Sequence, residues 1–303
     1  MKERDFISVI KNILNSEYIG DDCAYLKDLG IVITQDSLVE DVHFLKKYIT
    51  PYQLGYKSVM VNISDVAASG AEAEYLTISL SLPSDIDEDF IKEFYNGAKS
   101  ACGKDIKIVG GDITGSGKIF ISICVVGSTS GRNISSRKNA QIGQKIILSG
   151  KHGSSGAGLK LLLEGKKSPE KFIKSHLEPV AQIDFAKNIA LNVKGKYAMM
   201  DTSDGLMDAL SVMANESKVL FEVDFNKIPY DSDLQMFENP QDLILFGGED
   251  YQIVATVPND YKGGIEIGKV KQGLGVDLII DNKTKHFTKT DVENKLFNHF
   301  KGE

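Results

Sequence analysis

Residues 51–82 read PYQLGYKSVMVNISDVAASGAEAEYLTISLSL. Pro51 suits the first turn of a helix, where a missing N–H costs nothing. From there Leu54, Ser58, Val61, Asp65 and Ala68 recur at steps of three and four, which is one face of a helix, and Gly70 is a stop signal. The period then changes to two. Leu76, Ile78, Leu80 and Leu82 alternate with Tyr75, Thr77, Ser79 and Ser81, so Tyr75–Leu82 is expected to be a strand with one buried face. Asp65 falls on the inward stripe of the helix, where a carboxylate without a partner would be costly.

Working outward, Pro83 ends the strand, and Ser84 or Asp85 is expected to cap a helix. Phe90, Phe94, Ala98 and Ala101 form its apolar face and Gly103 closes it. Ile106–Val109 reads as a strand followed by a turn at Gly110-Gly111-Asp112, and Ile119–Val126 as another strand. On the other side, Ile31–Thr34 reads as a short strand. Around residues 131–143 the composition turns polar and basic, which places a boundary between a domain 1–133 and a domain 134–303. The second half has a strand Lys145–Leu148, a Gly/Ser loop 149–158 entering a helix Leu159–Leu163, and a strand running into Asp201. A helix from about Gly205 follows, with Leu206, Leu210 and Met213 on one face. The loop Gly247-Gly248-Glu249-Asp250 then leads to a strand Tyr251–Val257. Strands and helices mix without strict alternation, so the expected class is α/β (α+β) with two domains.

The bulk properties narrow the function. The 303 residues carry a net charge of −7 with a pI near 5.4. That argues against sequence-blind nucleic-acid binding, which needs a Lys/Arg stripe. The lysines are scattered and read as solvated surface. Cys23, Cys102 and Cys124 are odd in number and form no CxxC pair, so neither a disulfide framework nor a zinc site is indicated, and a reducing compartment fits. Met1–Leu14 has no apolar core of a signal peptide, and the run Ile119–Val126 is too short to span a bilayer. The expected setting is the cytoplasm, with no membrane partner.

The informative feature is where the acids fall. Asp21-Asp22, Asp36, Asp65, Asp112, Asp201, Asp204 and Glu249-Asp250 sit at Gly-rich turns or at the ends of apolar strands and helices. Crowded buried carboxylates raise one another's pKa values, and a hard divalent cation relieves them. Mg²⁺ takes oxygen ligands and bridges Asp side chains to phosphates, and no His/Cys cluster competes for a softer metal. Taken singly, Asp204 before Gly205 also fits an N-cap and Gly110-Gly111-Asp112 a tight turn. The set as a whole favours the metal. Gly111–Lys118 resembles a Walker A loop but lacks its first glycine and has Ile119 where Ser or Thr is required. Gly153–Gly158 fits either an anion-binding helix N-terminus or a flexible turn. His43, among acidic neighbours, fits either a structural role or a ligand contact.

Six segments carry a resemblance: Ile19–Ala24 (IGDDCA), Ile33–Phe44 (ITQDSLVEDVHF), Val61–Ala71 (VNISDVAASGA), Val109–Thr114 (VGGDIT), Met200–Leu206 (MDTSDGL) and Phe246–Tyr251 (FGGEDY). In this order they resemble the thiamine-monophosphate kinase family, within the superfamily of aminoimidazole ribonucleotide synthetase. The resemblance implies two α/β domains, with the N-terminal mixed sheets of two subunits paired into a barrel-like homodimer core. It implies ATP as co-substrate, Mg²⁺, and thiamine monophosphate as the phosphate acceptor. By position, Asp22, Thr34, Asp36, Asp65, Asp201 and Asp204 match metal ligands, with Asp65 and Asp204 at the catalytic metals. Gln35 stands where the family usually has Thr, and its amide oxygen can serve. Asp112 matches a metal and nucleotide contact, with Gly111 beside it, and Tyr95, Arg137 and Ser203 match nucleotide contacts. His43, Glu249 and Phe297 match contacts to thiamine monophosphate. The alternatives are another superfamily member with a different acceptor and a nucleotide-binding sensor without catalysis.

Overall fold

The computed structural model describes residues 3–297. The first half runs α1 (Glu3–Leu14), β1 (Ala24–Leu26), β2 (Ile31–Val39), α2 (Pro51–Ser69), β3 (Glu72–Leu82), α3 (Glu88–Cys102), β4 (Lys107–Gly115) and β5 (Phe120–Ser128). Its strands form one sheet in the order β1-β2-β5-β3-β4, antiparallel except for the parallel pair β3–β4. The second half runs β6 (Lys145–Leu148), α4 (Ser154–Leu163), α5 (Glu170–Leu177), α6 (Ile183–Asn192), β7 (Met199–Asp201), α7 (Leu206–Glu216), β8 (Leu220–Asp224) and α8 (Pro240–Phe246). It continues with β9 (Ile253–Val257), β10 (Ile265–Lys271), β11 (Gly275–Ile280), β12 (Lys283–Phe287) and α9 (Lys289–Glu293). Its seven-stranded sheet has the order β12-β11-β8-β10-β6-β9-β7. Mixed α/β with two sheets is the class the patterning predicts.

The helix and strand of residues 51–82 form as the periodicities require. Thr50 caps α2 in a reciprocal capping box with Gln53, Pro51 opens it and Gly70 closes it in the left-handed region. Leu76, Ile78 and Leu80 are buried while Tyr75, Thr77 and Ser79 are exposed. One expectation was too narrow. The helix α2 is buried on almost every side, not along one stripe. Its Leu54, Val59, Ile63 and Val66 pack into the core under the first sheet, while Ala67 and Ala68 join a second core with Ile147, Ile189, Met199 and Ile253 of the other half. A helix wedged between two layers needs apolar contacts all round.

Three local expectations are corrected. The cap of α3 is Asp87, whose side chain accepts from Phe90 N–H, because Pro83 and Ile86 first close a turn. Gly110-Gly111-Asp112 is not a turn. These residues lie inside β4, which runs on to Gly115 after a bulge opposite Leu76/Thr77. Residues 149–158 are not all loop, since α4 already begins at Ser154. Gly158 sits in that helix because a Cβ there would lie 2.0 Å from Phe172 O of α5. The two helices approach more closely than any side chain permits.

Candidate active site

The C-terminal end of α2 and the end of β7 meet where the two halves touch, and this junction assembles the acids. Asp22, Asp65 and Asp201 each offer a carboxylate oxygen, and these atoms lie within 4.8 Å of one another. Asp201 is buried at the end of β7, with Ser64 Oγ–H donating to Oδ2 (2.6 Å) and Ser203 Oγ–H to Oδ1 (3.0 Å). Thr34 Oγ1–H donates to Asp65 Oδ2 (2.7 Å). Asp36, two residues along β2 and so on the same face, is anchored by its backbone N–H on Asn62 Oδ1 (2.9 Å).

The electrostatics follow from that crowding. Burial, then the charges of Asp36, Asp201 and Asp22, push the Asp65 carboxyl well above the usual range, against the hydrogen bond from Thr34. Burial, then Asp22, pushes Asp201 up to about 7, against the hydroxyls of Ser64 and Ser203 and the charge of Arg137. One cation answers them. Arg137 donates from Nη2 to Asp22 Oδ1 (2.9 Å) and from Nε to Oδ2 (3.3 Å). Burial presses this guanidinium down, but Asp22, joined by Asp201 and Asp65, more than reverses the effect. Asp21 holds the loop in place, accepting from Arg137 N–H (2.7 Å) and from Ser136 Oγ–H (2.8 Å). Asp21 therefore positions Arg137 instead of joining the cluster.

The donor set fits Mg²⁺. It is made of carboxylate and hydroxyl oxygens, and one arginine cannot balance three or four acids at this separation. The neighbouring Cys23 does not compete. Burial, then Asp65 and Asp22, pushes its thiol well up, so it stays protonated.

The remaining predicted residues lie apart from this cluster. Gln35 alternates onto the outer face of the first sheet, with Nε2–H donating to Ser122 Oγ (3.0 Å). Asp112 pairs in register with Ser79, which in turn pairs with Ser122, so it shares that outer face, with Gly111 beside it. Within one chain, these residues lie across the sheet from the cluster of Asp22, Asp65 and Asp201. Tyr95, on α3, packs edge-on against Phe94 with ring centroids 5.6 Å apart. Asp204 is exposed in the turn before α7, and Gly205, not Asp204, holds the cap position there. Phe297 is 75% exposed at the end of the described residues, and the terminal segment that follows it lies outside them.

Glu249 stands on the other side of the junction. Its backbone is left-handed (φ 64°), and its N–H donates to Ser203 O (2.7 Å), which ties the loop to the Asp201 turn. Gly248 allows this approach, since a Cβ there would lie 2.7 Å from Ser203 O. Burial pushes the Glu249 carboxyl up, but Lys57, His176 and His43 together hold it below its ordinary value. The Gly153–Gly158 segment resolves in favour of a helix N-terminus occupied from within: Gly153 N–H and Ser155 N–H donate to Asp250 Oδ2 (2.6 Å) and Oδ1 (2.8 Å), although burial pushes this carboxyl up to about 7.

Sequence reasoning missed Ser64, Lys57 and His176. Lys57 reads as one more surface lysine, yet its side chain is 1% exposed. Its position three residues after Leu54 and four before Val61 was the available signal.

Comparison with known proteins places the chain in a family. Residues 20–129 match AIR synthase related protein, N-terminal domain, and residues 141–269 match AIR synthase related protein, C-terminal domain. The thiamine-monophosphate kinase of Aquifex aeolicus is 39% identical, covering 98% of each chain. The chain belongs to the thiamine-monophosphate kinase family. The Bacillus subtilis thiamine-monophosphate kinase is 32% identical over 93% of each chain. The solved structure of AaThiL complexed with AMPPCP and TMP superposes with a TM-score of 0.88 at 37% identity, covering 99% of this chain and 97% of that one. Family membership accounts for the order of the six motifs, and the fold explains why acids far apart in the chain converge.

Proposed function

We propose that this chain transfers the γ-phosphoryl group of ATP to the phosphate of thiamine monophosphate, giving thiamine diphosphate and ADP. The observation that carries the reading is the convergence of Asp22, Asp65 and Asp201 at the junction of the two halves. A phosphate oxygen of thiamine monophosphate forms the new bond to the γ-phosphorus as the bond to the β-phosphate oxygen breaks. That nucleophile is already anionic at neutral pH, so no general base is needed, and catalysis is positioning plus charge neutralisation. Mg²⁺ held by these acids would supply the neutralising charge on the phosphates.

The chain's own residues divide the work. Asp22, Asp65 and Asp201, with Thr34 and Asp36 on the same sheet face and Asp204 at the turn, would hold the metals. Asp65 and Asp204 serve the transferring phosphoryl group. Gln35 and Asp112 would offer oxygens to a metal, and Gly111 and Asp112 would contact the nucleotide, from the outer face, where two copies pair their first sheets into a homodimeric barrel. Tyr75 and Phe120, exposed on that face at 42% and 38%, favour such pairing. Tyr95, Arg137 and Ser203 contact ATP, and His43, Glu249 and Phe297 contact thiamine monophosphate. The division into 1–133 and 134–303 and a cytoplasmic setting belong to the same reading. Among the described residues no helix is long and apolar enough to cross a membrane.

The test is an end-point assay with purified protein, ATP, Mg²⁺ and thiamine monophosphate, resolving thiamine diphosphate by chromatography, with an EDTA control. Metal-dependent product supports the reading. ADP without thiamine diphosphate moves it to another acceptor, and no ATP turnover refutes it.

A further inference from the structure

The buried lysine of α2 has no place in the metal chemistry, yet it reaches across the junction. Lys57 Nζ lies 3.1 Å from each oxygen of Glu249, and His176 Nδ1 of α5 lies 3.2 Å from Oε2. Burial, then Lys57, pushes His176 down to about 4, against the pull of Glu249, so its ring is neutral at physiological pH. A carboxylate only accepts, so Nδ1 carries the proton that faces Glu249, with Ser155 Oγ 3.1 Å from the same nitrogen. Three donor contacts thus engage a side chain with about four lone-pair sites, leaving one direction open.

The carriers of these groups are rigid. Lys57 lies in the middle of a helix buried on almost every side, His176 is 6% exposed, and Glu249 is tied by its backbone to Ser203. Burying an ammonium for stability alone is poor economy, because an apolar pair of the same size generally packs as well. Keeping Glu249 ionised and aimed is a different matter. In this setting burial alone would favour the neutral acid, which attracts a cation far less.

We propose that Lys57, seconded by His176, is a positioning residue that holds the Glu249 carboxylate ionised and oriented for the permanently cationic thiazolium ring of the acceptor. This rests on the reading of Glu249 as an acceptor contact.

The test compares Lys57→Met, His176→Leu, Glu249→Gln and Lys57→Met/Glu249→Gln in steady-state assays with ATP and thiamine monophosphate varied separately. Lys57→Met raises KM for thiamine monophosphate about tenfold or more, the loss expected for a charge-assisted contact, while KM for ATP stays within about twofold. The double variant is then no worse than Glu249→Gln alone, because the lysine acts through the glutamate. A Lys57→Met enzyme with lowered Tm but parental KM for thiamine monophosphate, beside a Glu249→Gln enzyme with raised KM, overturns the proposal and leaves the functional reading standing. A parental KM in Glu249→Gln overturns the assignment of Glu249 itself. If Lys57→Met does not fold, His176→Leu decides. A rise of about threefold or more in KM for thiamine monophosphate alone supports the proposal, and no rise overturns it.

Discussion

Replacing Asp65 by Asn stabilises the metal-free protein while removing its activity. The carboxylate oxygens of Asp22, Asp65 and Asp201 lie within 4.8 Å of one another. At that separation and an effective dielectric near 20, each fully ionised pair repels by about 3 kcal/mol. Asp65 escapes part of this by retaining its proton, as its raised pKa shows, and Arg137 offsets some of the rest. The net relief in Asp65→Asn is therefore roughly 1–3 kcal/mol. For a chain of this size that is on the order of 5 °C in Tm. The asparagine Oδ1 still accepts from Thr34 Oγ1, and its new NH2 faces the carboxylate oxygens of Asp22 and Asp201, which only accept. Thermal melts in EDTA measure the stabilisation, and melts with Mg²⁺ and ATP measure the loss of ligand response. Turnover of ATP falls by two orders of magnitude or more. An Asp65→Asn protein that melts lower than the parent in EDTA, or that keeps its Mg²⁺-dependent shift and turnover, refutes the account of the cluster.

Two further outcomes follow from the same electrostatics. The Asp201 carboxyl, at about 7 in the folded chain against 3.8 for its ordinary value, binds more protons folded than unfolded between those limits. Its stabilising contribution is complete at low pH and is lost as pH rises through 7, so in EDTA this carboxyl by itself favours pH 6.5 over pH 8 by roughly 1 kcal/mol. His152 and His176, held down at about 4 by burial, begin to destabilise as pH falls to 6.5 and offset part of that gain, whereas Asp250, which burial also pushes up to about 7, adds a gain of its own. The pH 6.5–8 slope of Tm flattens in Asp201→Asn, and an unchanged slope contradicts the assignment. Arg137→Met strips Asp22, whose side chain is 3% exposed, of its counter-charge and lowers the metal-free stability by about 2–3 kcal/mol. Saturating Mg²⁺ narrows that deficit, while KM for ATP rises; an equal deficit in Tm with and without Mg²⁺ shows that the arginine is not the metal's electrostatic substitute.

Much of the fold was legible before any coordinates. The change of period at Gly70 marks α2 and β3, because amphipathic spacing is a local property of the chain. The strand Lys145–Leu148 and the helix after Gly205 follow in the same way. The acids were legible as a class, since Asp at glycine-rich strand ends has few purely structural uses. Local rules failed where a distant segment decided the outcome. Gly110-Gly111-Asp112 carries turn residues but is held extended by pairing with β3, and Gly156 and Gly158 look like a flexible loop but belong to a helix pressed against α5. Lys57 looked solvated because nothing near it in sequence supplies its partner.

The sequence by itself determined the mixed α/β class and the family, and it singled out a set of acids whose hard oxygens suit a divalent cation. These rest on periodicity and motif order, which are written along the chain. Only the tertiary structure decided which acids act together. Asp65 and Asp201 are 136 positions apart and converge because α2 is wedged between two sheets, whereas Gln35, adjacent to Thr34, is turned to the opposite face by the pleat of β2. The tertiary fold likewise joins Lys57 to Glu249, since a buried charge is specified by the partner that the packing brings to it.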